Sequence, residues 1–344
     1  MGNALELEVI RTIEEFDALA DEWNGLLEKS ASHVPFLRHE YQAAWWRTLG
    51  GGEWPAGDLC IIAARRPDGI LFGIAPLFFA QNREGQNALM LIGSVEISDY
   101  LDVIARPEDL PLFLEALLDY LSGPLFPPWE ALDWYNLLED SPTLPAFSAA
   151  ARRCGWKYSQ ERLQHCPYIP LPGDWETYLS GIDKKQRHEV RRKMRRADSS
   201  EVPVRWYIVQ DEAGLDAEIE AFFQLMAQDA AKQAFLTDAM RTQMRASIKA
   251  AFQSGWLQLA FLEVGGEKAA GYLNFDYSNQ IWVYNSGIDP RFSALSPGWV
   301  LLGQLLQWAN DNQRAAFDFL RGSEDYKYRF GGIDRFVVRA KVTR

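Results

Sequence analysis

Residues 281–299 read IWVYNSGIDPRFSALSPGW, and this stretch decides the fold of the C-terminal half. Its apolar first part predicts a strand that ends near Gly287, and Ser296-Pro-Gly298 predicts the start of a helix after a short loop. Ser296 is a favourable N-cap, and Pro297 at the first helical position loses no hydrogen bond that the helix needs. The sequence therefore predicts a strand, a loop and a helix with a well-defined beginning.

The first turn of this helix is a candidate anion site. Gly298 has no side chain, so we expect the N–H groups of Gly298, Trp299 and Val300 to point freely at whatever lies before the helix. Free N–H groups at a helix N-terminus suit a pyrophosphate. An ordinary capped helix explains the same residues without any ligand, and that alternative stays open.

A second unusual stretch, residues 315–331, reads AAFDFLRGSEDYKYRFG. Asp318 interrupts an otherwise apolar strand, and a carboxylate in a half-buried strand needs partners. Beyond it, Glu324, Tyr326 and Lys327 supply acid and base candidates close to a flexible glycine. The alternative is structural, with Asp318 bonded to a loop and the following charges solvated.

Residues 184–196 read KKQRHEVRRKMRR and contain eight Lys or Arg against one acid. On a helix, the apolar positions form only a narrow stripe, so much of the charge faces water or a partner. A solvated helix is the simpler interpretation. The other is a polyanion site, for which the candidate residues are Lys184, Lys185, Arg187, Arg191, Arg192 and Arg195.

Composition excludes several classes of protein. The 344 residues carry 47 acids and 35 Lys or Arg, and the formal net charge of −12 argues against a chain that is basic overall and coats nucleic acid. Three cysteines and four histidines show no ligand spacing, so no metal site is predicted. The longest uncharged apolar stretch, residues 70–80, is shorter than the ~18 residues of a membrane span. We expect a cytoplasmic protein without a transmembrane segment.

The order of predicted elements indicates two α+β halves. Single helices are predicted over residues 13–27 and 175–196, and a single strand over residues 70–79. Residues 166–173 contain three prolines and a glycine, which predicts a domain boundary. A strand over residues 315–320 completes the predicted core. Both halves show a helix–helix–hairpin order, which favours a duplicated unit over two unrelated domains.

These stretches together resemble the GNAT acyltransferase superfamily. More narrowly, they resemble its branch of acetyltransferases involved in cellulose biosynthesis, which is related to the Fem-type peptidoglycan-bridge ligases. The C-terminal motif residues are Ser286-Gly-Ile-Asp-Pro290, Leu295-Ser-Pro-Gly298, Phe317-Asp-Phe-Leu-Arg-Gly322 with Tyr326-Lys327, Trp175-x-x-Tyr-Leu179 and the basic run. The N-terminal ones are Pro35-Phe-Leu37, Trp45-Trp46, Pro76-Leu77 and Asp99-Tyr-Leu-Asp102.

The resemblance implies two tandem GNAT-like domains, over residues 1–165 and 174–344, each with a mixed central sheet flanked by helices. It implies that acetyl-CoA or another acyl-CoA binds the second domain, with the first as scaffold or acceptor side. It also implies that the strand over residues 281–287 diverges from the strand over residues 315–320. The pantetheine arm would lie in the gap and pair with strand backbone, as an added strand does. The implied cofactor-binding residues are Asn285, Ser286, Gly287, Ile288, Arg291, Ser296, Gly298 and Trp299.

Acyl transfer needs a base, an oxyanion donor and an acid for the leaving thiolate. Tyr326 is the candidate acid, Glu324 or Asp318 the base, and Lys327 a group that binds an anionic acceptor. The predicted function is acyl transfer to a small-molecule, cell-envelope or polysaccharide-linked amine or hydroxyl.

Two alternatives remain open. Leu295-Ser-Pro-Gly298 departs from the Arg/Gln-x-x-Gly-x-Gly/Ala loop of typical GNAT enzymes. A Fem-type ligase that uses aminoacyl-tRNA, with tRNA on the basic run, is therefore one alternative. A non-catalytic accessory protein of an exopolysaccharide machine is the other.

Overall fold

The computed structural model describes residues 5–124 and 126–344 and divides the chain into two compact units. Unit 1 comprises Met1–Gln164 together with Phe336–Arg344, and unit 2 comprises His165–Arg335. The predicted second domain ran to residue 344. The structure instead places residues 336–344 in unit 1, because they form a strand of its sheet.

The described residues form twelve α-helices, two short 3-10 helices and sixteen strands. The helices are α1 Ile13–Ala18, α2 Ala20–Leu27, α3 His39–Gly52, α4 Leu110–Ser122, α5 Thr143–Arg153, α6 Trp175–Gly181, α7 Lys184–Asp198, α8 Leu215–Met226, α9 Ala230–Phe235, α10 Asp238–Gln253, α11 Pro297–Asp311 and α12 Asp325–Arg329. Short 3-10 helices cover Pro35–Leu37 and Pro290–Leu295. The strands are β1 Glu6–Ile10, β2 Asp58–Leu59, β3 Ile61–Arg65, β4 Leu71–Ala75, β5 Leu77–Gln81, β6 Asn87–Leu91, β7 Ile104–Ala105, β8 Ala131–Leu138, β9 Lys157–His165, β10 Tyr168–Pro170, β11 Val204–Ile208, β12 Leu257–Val264, β13 Glu267–Tyr277, β14 Gln280–Ile288, β15 Ala316–Asp318 and β16 Phe336–Thr343.

Unit 1 holds two sheets, one of order β1-β3-β4-β7 and one of order β2-β5-β6-β8-β16-β9. Pro76 divides the strand predicted over residues 70–79 into β4 and β5, which enter different sheets because proline has no N–H for a ladder. The core is aromatic, and Trp23, Trp45 and Trp134 are fully buried in it. Arg339 on β16 pairs with the buried carboxylate of Asp133 on β8.

Unit 2 has one sheet, of order β10-β15-β14-β13-β12-β11, in which only the described β14–β15 pair is parallel. Helix α11 is buried along most of its length because Leu301, Leu305 and Leu306 face the sheet core. Helix α7 packs on α11, where a Cβ at Gly303 would lie 3.0 Å from the Met194 sulfur. The mixed α+β class predicted from sequence is confirmed.

Several predicted elements have different bounds. The helix predicted over residues 175–196 is two helices, because Ile182 is extended and Asp183 caps α7 through the N–H of Lys185 at 2.9 Å. The helix predicted over residues 13–27 divides at Leu19. Residues 166–173, predicted as a domain boundary, contain the strand β10. The strands β9 and β16 were not predicted from the sequence. No described helix is long and apolar enough to cross a membrane.

Candidate functional site

The sheet of unit 2 opens between its two parallel strands. β14 pairs with β15 only from Gln280 to Trp282, opposite residues 316–318, and then separates from it. On its other side β14 stays paired with β13 as far as Ile288. Among the described residues, one edge of β14, over residues 283–288, therefore has no strand partner, as the resemblance implied. We call this segment the open edge.

Main-chain groups of Ser286 face the gap. The Asp289 N–H donates to Ala269 O at 2.9 Å, so by antiparallel alternation Gly287 points toward β13 and Ser286 points away from it. Side chains satisfy both groups of Ser286: its N–H donates to Asn285 Oδ1 at 2.8 Å, and its carbonyl accepts from Lys232 Nζ at 2.5 Å. The open edge thus offers one donor and one acceptor to a ligand that can displace these side chains.

Gly287 lets a helix end come close to the open edge. A Cβ at this position would lie 2.5 Å from the carbonyl carbon of Leu225 and from the nitrogen of Met226. These are backbone atoms at the end of α8, so only a glycine fits without moving the helix. The chain then turns through Asp229, whose Oδ1 accepts from the N–H groups of Ala231 and Lys232 and so fixes the start of α9.

The start of α11 differs from the prediction in three ways. Ser296 adopts a left-handed conformation and makes no side-chain cap, so it is not an N-cap of the usual kind. The Val300 N–H donates to Ser296 O at 3.0 Å and is not free. The first turn is not open at Gly298, because a Cβ there would lie 2.3 Å from Ile288 Cδ1. By helix geometry, the N–H groups of Gly298 and Trp299 still have no acceptor within the helix.

Trp299, in the first turn of α11, carries a buried polar group without a described partner. Its indole Nε1 is buried and has no hydrogen-bond partner among the described residues. The ring packs against Phe330 at 4.6 Å between centroids, and Lys193 Nζ lies 4.1 Å from the ring centroid. The predicted anion site and the basic run, which lie about a hundred residues apart in sequence, therefore meet at Trp299.

Arg291 has local carboxylate partners. Its guanidinium binds Asp289 at 2.7 Å and Glu267 at 2.9 Å, and its side chain is 65% exposed. Both carboxylates raise the pKa of this already basic group. A pyrophosphate would have to compete with them, so Arg291 makes a weaker anion site than its charge alone suggests.

Asp318 is a buried partner of Arg335. The two side chains form an ion pair, and Asp318 Oδ1 also accepts the N–H of Leu320 at 2.8 Å. Leu320 has a φ of +56°, which a non-glycine residue adopts only where its surroundings hold it. These contacts correspond to the structural alternative for Asp318, which fixes the turn after β15.

Lys327 is 3% exposed, and its ammonium group is occupied. It donates to the carbonyl oxygens of Arg321 at 2.8 Å and Gly322 at 3.1 Å, and it pairs with Glu324 at 2.9 Å. A lysine has three donors, and these partners use all of them. The structure therefore gives Lys327 the role of closing the loop between β15 and α12, whereas the sequence analysis expected it to bind an acceptor.

Tyr326 and Glu324 lie together beside the gap. Burial raises the pKa of the Tyr326 phenol above its ordinary 10.0, and the nearby Glu324 carboxylate raises it further. The hydroxyl makes no hydrogen bond to residues 5–124 or 126–344. Glu324 is the residue before α12, and its side chain is 58% exposed. The pair thus combines a neutral phenol with an accessible carboxylate.

Lys232 is a site residue that the sequence analysis missed. Its ammonium binds Ser286 O, and it is close enough to Glu324 for that carboxylate to influence its pKa, which burial lowers overall. The sequence pattern predicts a single helix over residues 215–231, whereas the structure has α8 over Leu215–Met226 and a separate α9 over Ala230–Phe235. A lone lysine in a short helix carries no periodic signal, so only the fold brings it to the open edge.

The basic helix α7 has more positive charge than its carboxylates neutralise. Arg191 pairs with Glu176, and Arg192 and Lys193 share Glu189 at 2.8 and 3.5 Å. Arg187 and Arg195 donate to main-chain oxygens. The side chains of Lys184, Lys185 and Arg196 have no partner among the described residues. Among those residues, no group of three or more His, Cys, Asp or Glu could hold a metal ion.

Residues 184–328 match the family model described as "Acetyltransferase (GNAT) domain". The segment begins with α7 and ends within α12, so it includes the open edge, the start of α11 and Tyr326. The chain therefore carries a GNAT-fold domain within unit 2. Such a domain implies an acyl-CoA donor in general.

Solved structures share this fold across both units. FemX matches with a TM-score of 0.64 and 12% identity, over 97% of this chain and 96% of its own. A conserved protein of unknown function from Bacteroides thetaiotaomicron matches with a TM-score of 0.61 and 12% identity, over 99% of this chain and 100% of its own. L-PGS from Bacillus licheniformis matches with a TM-score of 0.55 and 12% identity, over 93% of this chain and 90% of its own. No curated protein matches the sequence. These identities establish a shared fold alone.

Proposed function

We propose that the protein is an acyltransferase that binds an acyl-CoA at the open edge of unit 2 and transfers the acyl group to an amine or hydroxyl. The observation that carries this proposal is the separation of β14 from β15 after Trp282, beside the start of α11. An amide-bearing chain can pair with the N–H and C=O of Ser286 as an added strand does. The unpaired N–H groups of Gly298 and Trp299, with the orphaned Trp299 Nε1, suit the phosphates.

The residues beside the gap supply the remaining chemistry. Glu324 accepts the proton of the attacking amine or hydroxyl as the new C–N or C–O bond forms and the C–S bond breaks. The high pKa keeps the Tyr326 phenol protonated, and its hydroxyl donates a hydrogen bond to the negative charge on the leaving sulfur. The acceptor that the motif resemblance implies is an amine or hydroxyl of the cell envelope or of a polysaccharide.

Thermal unfolding with acetyl-CoA, longer acyl-CoAs and free CoA tests the donor. A ligand at 100 times its Kd stabilises the folded protein by about 2.7 kcal/mol, which is a measurable shift. We expect Gly298→Glu to abolish the shift, because a carboxylate would occupy the start of α11, and Asn312→Glu at the other end of α11 to retain it. Gly298→Ala controls for crowding of Ile288. No shift with any CoA in the wild-type protein would reject the acyl-CoA proposal.

A second candidate is a Fem-type ligase that receives its group from aminoacyl-tRNA bound on α7. The uncompensated charge of Lys184, Lys185 and Arg196 favours it. Binding of tRNA through such a helix should weaken steeply with salt, since each neutralised phosphate releases counterions. The measurement is a log–log salt titration of tRNA affinity for the wild-type protein and for a Lys184→Gln, Lys185→Gln, Arg196→Gln variant. A flat salt response removes this candidate.

A further inference from the structure

Lys232 projects into a cavity of about 320 Å³ beside the open edge. The end of α8, the turn into α9 and the last residues of β14 form its walls. Its apolar lining comes from Leu225, Met226, Ile288 and Pro290, and its polar lining includes Asp229. The cavity is therefore small, mostly apolar and supplied with a single cation.

The ammonium of Lys232 has no carboxylate in direct contact among the described residues. Among the described residues, no carboxylate oxygen lies within 4.0 Å of its ammonium, which binds only the Ser286 carbonyl. Two other partly buried cations of unit 2 are paired with carboxylates, Lys268 with Glu218 at 3.1 Å and Arg314 with Asp276 at 2.6 Å. A desolvated cation without a counter-ion lowers stability, and such groups are found mainly where a ligand completes them.

Binding of the donor would leave the Lys232 ammonium without its present hydrogen-bond acceptor. If an acyl-CoA pairs with Ser286 O, as we propose above, then Lys232 loses the carbonyl that it now binds. Its ammonium is then left in the cavity with three free donors. The group that then accepts the hydrogen bonds of this ammonium and neutralises its charge must be an anion small enough for the cavity.

We infer that Lys232 binds a carboxylate of the substrate, so that the enzyme acts on molecules with one carboxylate close to the reacting centre. The inference rests on the proposed function. Asp229 and Glu324 are close enough to act on Lys232, and they would repel a phosphate dianion about twice as strongly as a monoanion, so the single cation favours a carboxylate. The carboxylate belongs either to the acceptor, as in an amino acid, or to the acyl group of the donor.

Matched ligand pairs distinguish the two sources. For the acceptor, thermal unfolding with saturating CoA compares alanine with ethylamine and leucine with isopentylamine, each pair differing only in the carboxylate. For the donor, succinyl-CoA is compared with butyryl-CoA. In at least one of these sets, we expect the carboxylate-bearing member to bind more tightly. We expect Lys232→Met to reduce the preference for that member over its matched partner roughly 10- to 100-fold, as loss of a charged hydrogen bond does.

Lys268→Met is the matched control, because it removes a partly buried lysine that does have a counter-ion. Without ligands, we expect Lys232→Met to keep or raise the melting temperature and Lys268→Met to lower it. Equal binding within every pair in the wild-type protein would overturn the inference, and so would a large loss of stability in Lys232→Met. If no CoA binds, the donor proposal fails, and the amino-acid pairs measured without CoA still decide the role of Lys232.

Discussion

At the scale of single residues, Tyr326 carries the clearest chemical prediction. Its partly buried phenol has no hydrogen-bond partner in the described residues and stays protonated at neutral pH. We expect Tyr326→Phe to lower kcat for acyl transfer roughly 100- to 1,000-fold, as removal of one donor to developing charge does, with donor affinity close to the wild-type value. The measurement is kcat against KM for thiol release from the acyl-CoA.

Tyr328→Phe is the matched control for Tyr326→Phe. The Tyr328 hydroxyl donates to Asp334 at 2.8 Å on the surface, so its loss removes a hydrogen bond and no proposed chemistry. We expect wild-type kcat in this control. Full activity of Tyr326→Phe would end the assignment of Tyr326.

Arg339 neutralises a fully buried carboxylate in unit 1. Its Nε and one terminal nitrogen lie 2.6 and 2.8 Å from Asp133, which also accepts from Asn82 at 2.8 Å. Arg339→Met leaves that charge buried without its cation and is expected to cost about 3–5 kcal/mol. Hydrogen exchange of the β8 amides measures the loss. Lys341→Met, which breaks a pair with the exposed Glu84, should cost less than about 1 kcal/mol.

His39 predicts how the stability of unit 1 depends on pH. Burial lowers its pKa below the ordinary 6.5. Its ring contacts Phe16 in an edge-to-face arrangement, and a ring nitrogen hydrogen-bonds with Phe16 O at 3.0 Å. Between the lowered folded pKa and 6.5 the unfolded chain binds more protons, so stability rises with pH in that window. The contribution is complete above 6.5 and is lost as pH falls through the folded pKa.

The measurement for His39 is urea unfolding between pH 7.5 and 5. We expect His39→Gln to reduce the fall in stability on acidification. His33, whose pKa burial also lowers, accounts for part of the remaining slope, and the double variant should be flatter than either single one. An unchanged slope in His39→Gln would contradict the prediction.

The sequence nominated candidate reactive residues in the C-terminal half, but it did not reveal the partners of the other candidates. Residue types and spacing were enough to name Tyr326 and Glu324 as candidates, and their reactive roles remain a proposal. The partners of Asp318 and Lys327 are Arg335 and a set of loop carbonyls, which meet only because Leu320 and Gly322 adopt positive φ. No periodic pattern encodes such a turn.

At the scale of elements, Gly287 controls the approach of α8 to β14. A Cβ there would meet the α8 backbone at 2.5 Å, and backbone atoms do not give way as a flexible side chain does. We expect Gly287→Ala to cost about 1–3 kcal/mol by overpacking and to weaken binding at the open edge. Gly181→Ala is the control, since nothing lies within 4 Å of its Cβ position, and it should be neutral or stabilising. Equal stability of the two variants would contradict this prediction.

Elements with strong apolar periodicity were predicted from the sequence, and polar or short ones were missed. The separation of β14 from β15 was implied by the family resemblance and not by the periodicity of either strand. β9 reads KYSQERLQH, which has no apolar alternation, and it is a strand because β16 pairs with it. Tertiary pairing thus decided an element that local sequence does not specify.

At the scale of the whole molecule, β16 completes the six-stranded sheet of unit 1 between β8 and β9. A chain that ends at Arg335 lacks this strand and the cation of Asp133. We expect hydrogen exchange in β8 and β9 to lose protection, while β12 and β13 of unit 2 remain protected. A truncated chain with wild-type protection in β8 would contradict the assignment of β16 to this sheet.

The division of unit 1 between two separate stretches of chain has a consequence for synthesis on the ribosome. Domains usually fold in the order in which they emerge, N-terminal first. Here all of His165–Arg335 leaves the ribosome before the strand Phe336–Thr343 that unit 1 requires. Until that strand emerges, β8 is unpaired on one side, although the later unit is already complete. During that interval the nascent chain exposes an unpaired strand edge, so a chaperone that shields it should matter more for the first half of this protein than for the second.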